Sequence, residues 1–200
     1  MMKPILTTLR WVPPFAHGYV KDLRVRWALE EIGIAYETKL IGPEDQPTME
    51  YRKIQPYGQV PAYEEDSLKI FESGAIALHI AHKSELLLPV EATARARAIV
   101  WMFSAHTSIE PYIHNIGSEM LTSRLKDLTS WLEGKDYLED RFTIGDLIMT
   151  TVLRDLGDDD IIMKNPVLLA YRSRCEGRPA FKKALNDQLE VFNKHKPKEA

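Results

Sequence analysis

Apolar side chains recur with the spacing of short strands and helices through the N-terminal part of the chain. Residues 5–9 form an apolar, β-branched run typical of a buried strand, and residues 10–18 follow with two prolines and a glycine that interrupt regular structure. From residue 19 to residue 32 apolar side chains return every three or four positions, and Gly33 stands where a helix would end. This pattern predicts a strand, a loop and a first helix.

Shorter elements follow the first helix. Alternating residues over 36–41 predict a second strand, and residues 49–54 predict a short helix. Residues 60–64 and 68–71 have the pattern of two strands joined by a tight acidic turn, and residues 73–82 then form a helix. The order βαβ, α, ββ, α combines a parallel strand pair with a hairpin, which predicts a thioredoxin-like α/β domain.

The rest of the chain has a helical pattern almost throughout, and no further strand is indicated. The predicted helices cover residues 91–121, 123–132, 144–156 and 166–192, with an interruption of the last one near Gly177 and Pro179. We therefore expect a thioredoxin-like domain over residues 1–83, a linker over 84–89, and an all-α C-terminal helical bundle over 90–200.

Composition narrows the classes of partner and compartment. The 200 residues include 26 basic and 29 acidic side chains, interspersed and with a formal net charge of −3, so we expect no nucleic-acid partner. Neither a long apolar run nor a secretion signal is found, which predicts a protein that does not enter the membrane. The single cysteine, Cys175, cannot form an internal disulfide, and we expect a structural thiol in a cytoplasmic protein.

Three stretches carry a resemblance to a known family. Residues 55–80 (QPYGQVPAYEEDSLKIFESGAIALHI) contain P-x-G-Q-V-P, a hairpin and an E-S pair that opens a helix. Residues 24–33 (RVRWALEEIG) are similar to the family's first helix, and residues 142–146 (FTIGD) to its helix capping box. In this order they resemble the soluble, cytosolic-type glutathione transferases, of which the chain is identified as a bacterial-like member. The resemblance implies an enzyme that binds glutathione and activates its thiol for attack on a small electrophile.

The P-x-G-Q-V-P segment is expected to hold the peptide backbone of glutathione. A cis bond between Val60 and Pro61 would turn the main chain of Val60 out of the sheet, and the resemblance implies that it pairs with the cysteinyl unit like an added strand. A trans proline in a surface loop is the alternative. The resemblance also places Gln59 against the tripeptide backbone and Gln46 near its glycyl end.

The E-S pair is expected to hold the γ-glutamyl end of glutathione. Glu72 and Ser73 stand at a strand-to-helix junction, where unpaired amides and the helix dipole favour an anion. By resemblance, Ser73 and neighbouring amides bind the carboxylate, while Glu72 pairs with the ammonium group. A serine at such a position also serves simply to cap a helix.

Thiol activation is the step for which the sequence offers several candidates. The family uses a tyrosine, serine or cysteine in or just after the first strand–helix loop, but residues 10–18 (RWVPPFAHG) contain none of these. The available donors are Tyr19, His17 and the amides at the start of the first helix. Tyr19 is alternatively a packing residue against Leu23. A non-catalytic glutathione-binding or protein-interaction module and a glutathione-dependent isomerase or dehalogenase therefore stay open.

The remaining expectations concern the second substrate, assembly and metals. Aromatic and imidazole side chains suit an apolar pocket for the electrophile, although aromatics at helical spacing are more often core. The candidates are Trp11, Trp101, His106 and Tyr112. The resemblance implies a homodimer. His79 and His82 share a helix face without a third ligand, so no metal is expected.

Overall fold

The computed structural model describes residues 3–197, which divide into two compact units. The first unit takes in the chain up to Lys83 and again from Ala180 onward, and the second unit is Ser84–Pro179. None of the helices within residues 3–197 is long and apolar enough to cross a lipid bilayer.

A four-stranded mixed sheet forms the centre of the first unit. Its strands are β1 (Ile5–Leu9), β2 (Glu37–Ile41), β3 (Ala62–Glu65) and β4 (Leu68–Phe71). The order across the sheet is β2-β1-β3-β4, with β1 and β2 parallel and β3 antiparallel to both β1 and β4. This topology confirms the predicted thioredoxin-like α/β fold. β3 begins two residues later than predicted, because Pro61 has no amide to donate to the ladder.

Three helices pack with this sheet: α1 (Asp22–Glu31), α2 (Met49–Arg52) and α3 (Ser73–Ala81). α1 begins three residues later than predicted, because the chain turns at Gly18, whose φ is +80°, and enters the helix only after residue 21. Trp27 on α1 and Ile76 on α3 are fully buried. The apolar faces of the two helices therefore form the core of this unit.

The second unit is entirely helical, which confirms the predicted class of the C-terminal region. Its helices are α4 (Ala92–Ser104), α5 (Glu119–Leu132), α6 (Ile144–Arg154), α7 (Asp160–Met163) and α8 (Pro166–Glu176). α7 lies where no helix is predicted. Asp159 provides the missing start signal, since its carboxylate accepts a hydrogen bond from the amide of Ile161 at 2.9 Å.

The single helix predicted over residues 91–121 is wrong. α4 is followed by a π-helical turn, Ala105–Ile109, and a short 3-10 turn, Glu110–Tyr112, and the chain leaves helical geometry before α5. Gly117 has a φ of +92°, and Ser118 caps α5 by accepting a hydrogen bond from an amide one turn later. Apolar spacing continues across this break, so periodicity alone does not reveal it.

A buried capping box anchors the second unit. The Thr143 hydroxyl and the Asp146 carboxylate at the start of α6 cap it reciprocally, as the FTIGD motif predicts. The same carboxylate accepts hydrogen bonds from the amide of Leu138 at 2.8 Å and the hydroxyl of Tyr171 at 3.0 Å. Burial outweighs these donors and raises the pKa of Asp146 to about 6.

The last helix, α9 (Pro179–Lys194), packs with the first unit from Ala180 onward. Phe181 stacks edge-on against Trp27 of α1, with ring centroids 4.8 Å apart. Gln188 and Phe192, about two and three turns further along the same face, are also buried. The contacts thus group α9 with the sheet and α1, whereas the sequence pattern groups it with the preceding helices.

Candidate active site

The ends of three strands meet at one edge of the sheet. Thr7 of β1 pairs with Ala62 at the start of β3, and Ala62 also pairs with Phe71 at the end of β4. Because both pairings are antiparallel, the loop after β1, the turn before β3 and the β4–α3 junction all emerge at this edge. Leu9 and Val60 accordingly pack on the same buried cluster. The fold therefore brings together three of the segments in which the sequence predicts site residues.

The turn before β3 exposes a stretch of unpaired main chain. The Val60–Pro61 bond is cis, as predicted. Within residues 3–197 the amide and carbonyl of Val60 make no hydrogen bond, although the neighbouring carbonyl of Gln59 accepts one from the Tyr51 hydroxyl at 2.6 Å. Burial and the nearby Glu64 raise the pKa of Tyr51 to about 12, so this hydroxyl stays a donor. Val60 thus offers one donor and one acceptor to an extended ligand.

The two glutamines of this region have different environments. The side chain of Gln59 is exposed. The amide nitrogen of Gln46 donates to the carbonyl of Gly58 at 2.8 Å and so braces the turn internally. Gly58 is required there, because its φ is +66° and a Cβ would lie 2.5 Å from the carbonyl oxygen of Gln46.

The β4–α3 junction has the features of an anion site. Glu72 precedes α3 with a φ of +68°, a conformation that costs a residue with a side chain about 1 kcal/mol or more. Ser73 is the first residue of α3, and its hydroxyl oxygen accepts a hydrogen bond from the buried Arg24 at 3.2 Å. The hydroxyl hydrogen is therefore available to a ligand. The helix dipole and the Arg24 charge both favour a carboxylate at this point.

In the loop between β1 and α1, the side chain of His17 makes a hydrogen bond and a ring contact. The Nε2 atom of His17 lies 3.0 Å from the carbonyl oxygen of Val12, and its ring packs on Phe192 at 5.2 Å. Since a carbonyl only accepts, Nε2 carries the hydrogen of this contact. Tyr19 is 41% exposed, and Trp11 is half-buried.

Main-chain amides in the same loop are already used. The amides of His17 and Tyr19 donate to the carbonyls of Pro14 and Ala16 at 3.1 Å each. The amide of Gly18 donates to the side-chain oxygen of Gln188, also at 3.1 Å. These three amides are therefore not available to a sulfur atom.

The other candidates lie in the second unit. Trp101 donates to Glu139 at 2.6 Å and packs on Trp131. These contacts are those of a residue that stabilises the helical unit. His106 lies in the π-helical turn, with Nδ1 2.6 Å from the carboxylate of Glu110. In the part of the chain that the structure describes, its Nε2 atom is buried without a partner. Tyr112 ends the 3-10 turn and is half-buried.

Two buried residues of the first unit are not among the site residues predicted from the sequence. Arg24 stands behind Ser73, and Gln188 of α9 reaches the loop that carries the activation candidates. Arg24 belongs to the recognised first-helix stretch, so its charge on a buried face was a usable signal. No local signal marks Gln188, because its partners lie far away in the sequence.

Comparisons with known proteins identify relatives of this chain. The sequence profile of the glutathione S-transferase N-terminal domain matches residues 15–82. A glutathione S-transferase of Hyoscyamus muticus is 27% identical over 205 residues, covering 82% of this chain and 92% of that protein. The hematopoietic prostaglandin D synthase of Gallus gallus is 31% identical over 176 residues, covering 78% of this chain and 84% of that protein.

A solved structure extends the likeness to the fold. It is that of a glutathione transferase family member from Pseudomonas fluorescens with two glutathione bound. Its TM-score against this chain is 0.78, at 25% identity and with 92% of each chain covered. Sequence profile, relatives and fold therefore agree that this chain belongs to the glutathione transferase family.

Proposed function

We propose that the protein is a glutathione transferase that binds glutathione at the sheet edge formed by β1, β3 and β4 and activates its thiol for attack on a small electrophile. The observation that carries this proposal is the unpaired main chain of Val60 beside the start of α3, where Ser73 and Arg24 favour an anion. Glutathione bound in the structure from Pseudomonas fluorescens supports the same ligand.

The tripeptide fits the site from its γ-glutamyl end. Its carboxylate accepts hydrogen bonds from the Ser73 hydroxyl and the first amides of α3, and its ammonium group pairs with Glu72. Its cysteinyl unit adds to the sheet edge through the amide and carbonyl of Val60. Gln59 reaches the tripeptide backbone, whereas Gln46 acts chiefly through the turn that it braces, near the glycyl end.

Among the activation candidates, the Tyr19 hydroxyl is the donor that we propose. A cysteine-type thiol has a pKa near ~8.5, so a donor that stabilises the thiolate raises its population at neutral pH. The Nε2 hydrogen of His17 is donated to the carbonyl of Val12, and the amides of residues 17–19, which precede α1, are also engaged. Tyr19 follows directly, and its side chain reaches solvent.

The test compares Tyr19→Phe with His17→Ala and with the unaltered protein. Calorimetric titration measures glutathione binding, thiolate absorbance gives the pKa of the bound thiol, and turnover of a generic aryl halide measures conjugation. We expect unaltered binding and a raised thiol pKa with Tyr19→Phe alone. Binding without turnover by the unaltered protein would favour a non-catalytic module. Absence of binding would contradict the proposed function.

We also propose a homodimer, supported by an exposed apolar face on α4. Ala96, Val100 and Phe103 lie on one side of the helix and are all exposed, Val100 by 63% and Phe103 by 53%. A contiguous apolar stripe of this kind is characteristic of an interface. Phe103→Asp should yield a monomer by light scattering, and Met163→Asp, on exposed Met163 of α7, should not. A monomeric unaltered protein would contradict the dimer.

A cytoplasmic setting is the last part of the proposal. Cys175 is the single cysteine and is buried, and burial raises its pKa to about 12. A thiol that stays protonated is a poor nucleophile, so Cys175 does not compete with glutathione for the electrophile. This supports a structural thiol in a protein that works where glutathione is reduced.

A further inference from the structure

Gln188 joins α9 to the loop that carries the proposed donor. Its side chain is fully buried and all of its polar groups are satisfied. The oxygen accepts from the amide of Gly18 at 3.1 Å, and the nitrogen donates to the carbonyl of Val20 at 3.2 Å and to the Asp22 carboxylate at 2.6 Å. A carboxamide of this kind holds two main-chain groups at a fixed separation.

The two main-chain groups that Gln188 holds lie on either side of Tyr19. Gly18 precedes Tyr19 and Val20 follows it, so the backbone of Tyr19 is bracketed by one side chain. One turn further along α9, Phe192 packs on the ring of His17. α9 therefore contacts the residues before and after the proposed donor.

Gln188, Gly18, Val20 and Asp22 form a hydrogen-bond network, and its Asp22 end lies in the core. The Asp22 carboxylate accepts from Arg26 at 2.7 Å, and both side chains are almost completely buried. Arg26 lies in turn 3.5 Å from the Tyr36 hydroxyl. A buried ion pair with such partners resists displacement, because separating it leaves a charge in an apolar surrounding. Gln188 thus couples the loop to a buried ion pair of α1.

We propose that Gln188 is a positioning residue for thiol activation: from α9 its carboxamide holds the main chain on both sides of Tyr19 and so aims the Tyr19 hydroxyl. This inference rests on the proposed function. Catalytic donors act only when they are held close to their target geometry, and a small displacement of the loop removes the benefit. The groups that bind glutathione, Val60 and Ser73, are outside the network.

The experiment uses Gln188→Met in the full-length protein. Methionine has nearly the same shape but cannot hydrogen-bond to Gly18, Val20 or Asp22. We expect glutathione to bind as before, while the pKa of its bound thiol rises by about one unit, which cuts the thiolate population by up to about tenfold at a pH below that pKa. Gln188→Leu is the second variant, in case the first does not fold, because it also fills the buried position and removes the acceptor for Gly18 and both donors without adding a charge beside Asp22.

Phe181→Leu is the matched control. It weakens the packing of the same helix on Trp27, without touching the Gln188 network. We expect it to lower stability and leave the thiol pKa unchanged. A purely structural role of α9 predicts instead that both variants shift the thiol pKa in proportion to their loss of stability, and this result would overturn the proposal.

A double-mutant comparison separates positioning from general loosening. In a Tyr19→Phe background, Gln188→Met should raise the thiol pKa no further, since its effect passes through the Tyr19 hydroxyl. Additive shifts would overturn the inference. The inference would also be overturned if Gln188→Met folds and leaves the pKa of the bound thiol unchanged. This result would not affect the proposed function, provided that the unaltered protein binds and activates glutathione normally. Failure of the unaltered protein to bind glutathione would refute the proposed function itself.

Discussion

Replacing Gly58 by alanine is expected to lower both the stability of the fold and the affinity of the proposed site for glutathione. Its φ of +66° costs a residue with a Cβ about 1–2 kcal/mol. The new Cβ would also lie 2.5 Å from the carbonyl oxygen of Gln46, a main-chain atom that cannot yield unless the turn moves. That movement breaks the 2.8 Å hydrogen bond from Gln46 to Gly58, worth about 0.5–1.5 kcal/mol. We expect the free energy of unfolding to fall by about 2–4 kcal/mol.

Gly33→Ala is the control for the conformational part alone. Gly33 has a φ of +71° and no atom within 4 Å of an added Cβ, so only the φ cost of about 1–2 kcal/mol applies. Denaturant unfolding measures both losses, and calorimetric titration with glutathione measures affinity. Gly58→Ala should weaken affinity about tenfold or more, because Val60 moves with the turn. Equal losses of stability in the two variants, or unchanged affinity in Gly58→Ala, would refute this reasoning.

Two further predictions follow from buried polar groups. Ser73→Ala should weaken glutathione binding by about 1.5–3 kcal/mol in calorimetry, which is the value of a hydrogen bond to a charged group. Ser73→Thr keeps the hydroxyl and should retain most of the binding free energy. Equal affinities for all three proteins would mean that the carboxylate is held elsewhere. Asp146 has a pKa raised by burial from 3.8 to about 6, so its contribution to stability is fully present below pH ~4 and is lost as the pH rises to ~6. Relative to Asp146→Asn, the free energy of unfolding of the unaltered protein should therefore fall by about 2 kcal/mol between these pH values in denaturant unfolding, and a pH-independent difference would contradict the burial of the charge.

Local patterns were sufficient for most of the first unit. Strands β1 and β4 and the start of α3 lie where the pattern predicts them, because apolar alternation and the turn residues around them point to the same boundaries. The cis bond before Pro61 followed from a motif. The site edge is then a consequence of topology, since two antiparallel pairings bring the strand ends together.

The features that escaped prediction depend on contacts or on single-residue breaks. The helix break before α5 rests on Gly117 and Ser118, which interrupt the chain without interrupting its apolar spacing. The role of Gln188 rests on Asp22, which is 166 positions away in the sequence. A glutamine on a helix is usually solvated, and only the tertiary structure shows that this one is fully enclosed.

The packing of α9 with the first unit has a consequence for how the protein is made. The sheet and α1 are synthesised first, but Trp27 and the buried Asp22 receive their partners Phe181 and Gln188 only when α9 has been added. At ~5–20 residues per second, the ribosome needs roughly 5–20 s to travel from α3 to the end of α9. During that interval the ring of Trp27 lacks its partner Phe181, and the carboxylate of Asp22 lacks its hydrogen bond from Gln188. Chaperones that bind exposed aromatic faces can therefore bind during this interval, and the loop at Gly18 gains its hydrogen bond to Gln188 only after α9 has been synthesised.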